Sequence, residues 1–167
     1  MISTITEFAY LWEPEIERTQ KILKHLTNAS LSQAVNPEGR TLGRLAWHIT
    51  TTIPEMMNRT GLKIASPHPD APVPPTAKEI FSTFNHASIS LIDQIKAGWT
   101  DETLKVVDEM YGEKWTRAYT LQALIFHQIH HRGQMTVLMR QAGLQVPGLF
   151  GPAREEWARW GMKPPEV

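Results

Sequence analysis

The sequence predicts an all-α protein, a four-helix bundle, on three observations. Four stretches repeat apolar residues at intervals of three, four and seven, three of them open on a threonine suited to helix capping, and convincing strand alternation is scarce. A length of 167 residues suits one domain across positions 1–167, large enough to bury a core without crosslinks.

The first helix is expected over about residues 4–27, with Ile5, Phe8, Trp12, Ile22, Leu23 and Leu26 on its stripe and Thr4-x-x-Glu7 as a capping box. Asn36-Pro37-Glu38-Gly39 is turn chemistry. Thr41 then caps a second helix, about 41–58, carrying Leu42, Leu45, Ile49, Ile53 and Met56; Pro54 should kink it or mark its last turns. Residues 61–75, GLKIASPHPDAPVPP, hold five prolines in their last nine positions. Extended polyproline geometry would let this segment reach about 45 Å, the length of a crossover that leaves the second and third helices parallel.

Thr76-x-x-Glu79 opens the third helix, about 76–97, with Ile80, Phe84, Ala87, Leu91 and Ile95 in register and Gly98 closing it. A short hairpin around Tyr111-Gly112 is expected before the fourth helix, about 120–142, which ends at Gly143. The tail, 144–167, offers a short helix with Trp157 and Trp160, expected to pack as a lid on the bundle.

Composition removes several functions. With no cysteine there is no disulfide, thiolate metal site, iron–sulfur cluster or cysteine nucleophile, so thiol chemistry would need a thiol from outside. Seventeen basic against seventeen acidic side chains, with no basic stripe, argue against nucleic acid as a partner. No apolar run approaches the roughly 20 residues that span a bilayer, and MISTITEFAYLWEPEIER lacks the pattern of a signal peptide; the expectation is a cytoplasmic protein with no membrane partner.

The seven histidines are unevenly placed. His127 and His131 are four apart, so they differ by only about 40° around a helix and share one face at metal-ligand spacing. With His127 at zero, Leu138 lies near 20°, Leu124 and Ala142 near 60° and Met135 near 80°, roughly the core-facing stripe. His130, about 60° to the other side, falls off it. Two imidazoles in a core must each satisfy a donor and an acceptor, and a shared metal ion would satisfy one nitrogen of each. A third ligand should then come from another helix. His48 on the second helix suits that place, with Thr52 beside it and Glu55 two turns on, while a hydrogen-bonded core histidine remains the alternative reading of each. His25 near a helix end, His68 in the proline segment and His86 on a solvent face are not candidates.

The run His127-x-x-His130-His131-Arg132-Gly133-Gln134, followed by Leu138, Arg140, Gln141 and Gly143, with Leu-x-x-His48 on the second helix, resembles the DinB/YfiT-like superfamily over nearly the whole chain. The resemblance implies an up-down-down-up bundle, often a homodimer, that binds one divalent metal. Carried onto this chain, the ligands it implies are His48, His127 and His131. It also implies transferases or isomerases that use low-molecular-weight thiols such as bacillithiol, mycothiol or glutathione.

Three imidazoles leave a divalent ion an open position, as catalytic sites do, and zinc, nickel or ferrous iron would each suit them. A metal-dependent transfer of such a thiol to a small electrophilic substrate is the first expectation. A metal hydrolase is the second, with Glu55 as base although two turns place it about 10 Å from His48 along the axis. A non-catalytic metal- or ligand-binding dimer is the third, because Ile125 and Ile129 lie opposite the histidines and need a second burial partner, either another helix or a second copy. Gln134 is a candidate to hydrogen-bond near the metal. Arg132 and Arg140 read as interface or solvent groups, Met56, Met57, Met135 and Met139 as core, and Trp47 and Trp115 as the tryptophans nearest a pocket.

Overall fold

A threonine hydroxyl caps each of the four long helices. Thr4, Thr41, Thr76 and Thr116 hold extended backbone and accept from the N–H groups of Glu7, Arg44, Glu79 and Tyr119, satisfying donors that the first turn leaves free. The computed structural model describes residues 2–67 and 71–166. It contains α1 (Ile5–Lys24), α2 (Leu42–Met57), α3 (Ala77–Gly98) and α4 (Arg117–Gln141), with an antiparallel hairpin of β1 (Val107–Met110) and β2 (Glu113–Thr116) leading into α4.

The expected elements are present, with local differences. The carboxylate of Glu7 turns to the backbone N–H and hydroxyl of Ser3, 2.8 Å from each, so the box at Thr4 is half formed. α1 runs through Pro14, which denies the Tyr10 carbonyl its helical donor, and it stops at Lys24 rather than near residue 27. α2 likewise continues through Pro54, which falls in its last turn. α4 begins at Arg117, three residues before Thr120, because β2 delivers Thr116 straight to the cap and the Arg117 N–H closes back on the Val106 carbonyl at 2.9 Å. Thr120 is internal to the helix, its hydroxyl bonded to the Thr116 carbonyl.

Cross-helix bonds give the directions. Ile5 meets Asp101, Glu13 meets Lys96 and Gln20 meets Asn85, so α3 runs against α1. Asn28 accepts from the Ala77 N–H beside the start of α3, while Lys63, just past α2, exchanges hydrogen bonds with Gln94 near the end of α3. α2 and α3 are therefore parallel. Arg132 of α4 reaches Glu15 and Thr19 of α1, and Gln128 donates to the Ile49 carbonyl of α2 at 2.7 Å. The order is up-down-down-up.

The proline-rich crossover is anchored where it leaves α2. Gly61 adopts φ 89°, a left-handed turn that favours glycine, and the Asn58 side chain clasps both the N–H and the carbonyl of buried Ile64. His68 lies outside the described residues. Phe8, Trp12, Ile49, Ile53, Phe84, Leu91 and Leu124 form one core, and the Trp12 indole N–H is satisfied by the Ser88 carbonyl.

The tail corrects an expectation. Residues 154–160 form a 3-10 helix with no buried residue, and Trp160 is 69% exposed. It is not a packed lid. The Glu156 carboxylate holds the N–H groups of Gly148 and Ala153, so the segment closes on itself, and Leu144, Val146 and Leu149 ahead of it pack against the core. Among the described residues no helix is long and apolar enough to cross a membrane.

Candidate metal centre

His127 and His131 stand one turn apart on α4, and His48 meets them from α2. The Nε2 atom of His127 lies 3.1 Å from Nε2 of His48 and 3.2 Å from Nε2 of His131. The three rings stand edge to face, with centroids 4.4–4.8 Å apart. One ligand atom from each falls within 4.8 Å of the others, so the three histidines are positioned to bind a metal ion. The Gln128–Ile49 bond joins the residues immediately following His127 and His48, which locks the helix register that brings the rings together.

Proton bookkeeping shows what this arrangement lacks. His131 Nδ1 donates to Gln134 Oε1 at 2.7 Å, while the Gln134 amide nitrogen faces His130, so His131 Nε2 carries a bare lone pair. If His127 Nε2 is also bare, it meets that lone pair unbonded; if it carries a proton, it can donate to only one of its two neighbours. Between neutral rings one close contact is always left without a hydrogen bond. His127 Nδ1 is buried with no partner as well. Protonation would relieve the crowding, but it is disfavoured: burial, followed by the neighbouring His131, holds His48 down at about 4, and burial with the same neighbours does so for His127, also to about 4. Burial also lowers His131 despite its bond to Gln134.

A cation does fit. Metal–imidazole bonds of about 2.0–2.1 Å in tetrahedral geometry put ligand nitrogens roughly 3.3 Å apart, close to the two spacings seen. The Gln134 bond fixes the tautomer of His131 with Nε2 free, the usual support for a ligating histidine. Leu124, Met135 and Leu138 on the same stripe are buried, as the periodicity predicts.

Two cavities flank the triad. One, of about 300 Å³, is lined by His48, His127, Thr52, Glu55, Tyr111 and Trp115. Glu55 thus shares a wall with two of the histidines, and its carboxylate accepts from the Tyr111 hydroxyl at 3.0 Å. The Thr52 hydroxyl is committed to the His48 carbonyl at 2.7 Å. Tyr111 has φ 55°, a left-handed conformation that costs a non-glycine residue roughly 1–2 kcal/mol, and with Gly112 it forms the hairpin turn. That turn sets its ring against Trp115 and under Arg59. Burial and the Glu55 charge push its hydroxyl up to about 12, so it stays a donor. The second cavity, of about 540 Å³, opens beside His131 and Gln134.

The remaining candidates separate cleanly. His25, His86 and His130 are exposed, and His25 bonds the Lys21 carbonyl at its helix end. Trp115 lines the smaller cavity, whereas Trp47, itself buried, lines a separate one with Arg44, Glu55 and Arg59; Met56, Met57, Met135 and Met139 are core. Ile125 is buried, and it and Ile129 share the groove between α1 and α4. Arg140 pairs with Glu155 at the surface. Arg132 corrects the reading as a solvent group: it is 1% exposed, ion-paired with Glu15 and bonded to Thr19 Oγ1 at 2.9 Å. An arginine written beside two histidines gives no sign of a carboxylate on another helix. The roles of Gln128, Tyr111 and Arg40 depend on neighbours distant in the chain, which the sequence does not display; a tyrosine where a hairpin turn favours asparagine or glycine is the one available signal.

An antiparallel-and-parallel helical bundle with a three-histidine cluster across α2 and α4 defines the class. The chain belongs to the DinB family, whose model matches residues 1–165. It is 44% identical over 167 residues, all of both chains, to the uncharacterized protein YrdA of Bacillus subtilis strain 168. A crystal structure of a DinB-like protein from Bacillus cereus ATCC 10987 is similar at 45% identity and a TM-score of 0.86, covering 90% of this chain and 100% of that one. The DinB-like protein YjoA of Bacillus subtilis, 16% identical with a TM-score of 0.69 over 88% of this chain and 99% of its own, shares the fold.

Proposed function

We propose that the protein is a metal-dependent enzyme that transfers a low-molecular-weight thiol to a small electrophilic substrate, with His48, His127 and His131 holding one divalent ion, zinc, nickel or ferrous iron. The observation that carries the metal reading is the set of three Nε2 atoms whose contacts neutral rings cannot satisfy. When bound, the ion would supply Lewis acidity, lowering the pKa of a thiol or water. The chain's own residues do the rest. Gln134 orients His131, and the flanking cavities give two approaches, as two reactants require. The chain has no cysteine, so the thiol comes as a ligand, and the cytoplasm, where such thiols are kept reduced, is the location this reading requires.

A hydrolase is the second reading, favoured by Glu55 on the same cavity wall as His48 and His127. Assays of the zinc- and iron-loaded protein with bacillithiol, mycothiol, glutathione and coenzyme A against a generic electrophile distinguish them. A metal-dependent rate with one thiol supports transfer; ester hydrolysis without thiol, lost in Glu55→Gln, supports the alternative. We also propose a homodimer, supported by exposed Tyr10, Leu11, Phe126 and Phe150 around the α1–α4 groove. A monomer in sedimentation at micromolar concentration contradicts it.

A further inference from the structure

The larger cavity differs in chemistry from the smaller one. Where Glu55 and two aromatic rings line the latter, the cavity beside His131 has an apolar wall of Val35, Leu45, Val137 and Leu138 and one fixed charge, Arg40. Arg40 belongs to the turn before α2, one residue ahead of the Thr41 cap. Among the described residues it makes no hydrogen bond or ion pair, and no carboxylate lines the cavity with it. It shares that cavity with His131 and Gln134, so its charge stands beside the triad. Among the described residues the cation therefore stands there without a counterion.

We propose that the larger cavity binds the substrate through a carboxylate gripped by Arg40, with an aliphatic or similarly apolar portion laid along Val35, Leu45, Val137 and Leu138, so that the substrate is an apolar carboxylic acid reaching the triad from the His131 side. A guanidinium presents two parallel N–H groups that match one carboxylate. A dianionic phosphate calls for more donors, and this cavity offers no second fixed cation. The volume of about 540 Å³ is that of a small-molecule site with an apolar lining and few polar groups. As a statement about substrate the inference rests on the metal-enzyme reading; the binding itself depends only on Arg40 and the apolar wall.

Octanoate, with 1-octanol and octylamine as neutral and cationic controls, is the probe. Calorimetric titrations use the zinc-loaded and the chelator-stripped full-length protein, wild type and Arg40→Gln. Octanoate should bind both forms of the wild type, 1-octanol and octylamine at least tenfold more weakly, and Arg40→Gln should weaken octanoate roughly ten- to hundredfold in both forms, consistent with a lost charged hydrogen bond. Affinity should fall roughly fourfold per methylene from octanoate to hexanoate and butyrate. Val137→Asp, at a half-exposed position that leaves the core intact, should weaken octanoate without moving the melting temperature. Octanoate binding that survives Arg40→Gln unchanged, binding that is lost with zinc, equal binding of 1-octanol, or no binding to the wild type overturns the proposal. Failure of the protein to take up zinc while stripped protein still binds octanoate through Arg40 overturns the metal reading alone.

Discussion

His131 and Arg132 are adjacent in the chain and face opposite helices from α4. Arg132 turns to α1, where Glu15 and Thr19 meet its guanidinium and Arg18 takes the other carboxylate oxygen of Glu15 at 2.5 Å. His131 turns towards α2, where its ring meets that of His48 edge to face, and its Nε2 meets the Nε2 of His127 one turn back on its own helix. Both clusters bury polar atoms between helices. One is complete within the chain, while the other leaves a hydrogen bond unmade and His127 Nδ1 unpartnered. Burial of polar groups is common to structural and functional sites; the unmet valence separates them.

The largest effect should come from breaking the complete cluster. Arg132→Met leaves buried Glu15 with Arg18 as its one remaining cation and an oxygen unpaired, and should cost about 3 kcal/mol in urea denaturation, while adding Glu15→Leu should recover most of it. The triad should respond in the opposite sense. His127→Leu removes the unpartnered Nδ1 and the crowded Nε2 and should stabilise the metal-free protein by about 1–3 kcal/mol, while abolishing metal uptake. A destabilised, metal-free His127→Leu would erase the contrast.

Gln134→Leu sharpens the comparison at the edge of the triad. It frees the His131 ring and should weaken zinc binding about 10–100-fold with little change in melting temperature. The last comparison concerns pH. The ordinary histidine pKa of 6.5 applies to the unfolded chain, whereas His48 and His127 titrate near 4 in the folded, metal-free protein. Between those values the unfolded chain binds more protons, so stability should decline as pH falls from 6.5 towards 4. His48→Leu/His127→Leu should flatten that slope, as denaturation series at several pH values would show.

The sequence made much of this legible because helices report their faces locally. The i,i+4 spacing of His127 and His131, set against Leu124, Met135 and Leu138, already placed both rings toward the core. Threonine caps located three of the four helix starts. The fourth was misplaced because Thr116 ends a strand and caps a helix at once, and a short strand carries too few residues for its period to show. Arg132 and Arg40 are opaque in the sequence for a shared reason. A charge reveals its partner, or the lack of one, only when distant segments are brought together. Trp160 departs in the other direction: its size suggests packing, yet it lies exposed on a short 3-10 helix that buries no residue.

The central claim is that His48, His127 and His131 hold one divalent ion. Elemental analysis of protein purified without a histidine tag, wild type beside His127→Ala and His131→Ala, tests it most directly. About one zinc, nickel or iron per wild-type chain, falling below roughly a tenth in each variant while both remain folded, is the predicted result. Equal metal content in wild type and variants, or none in the wild type after incubation with each of the three ions, would contradict it.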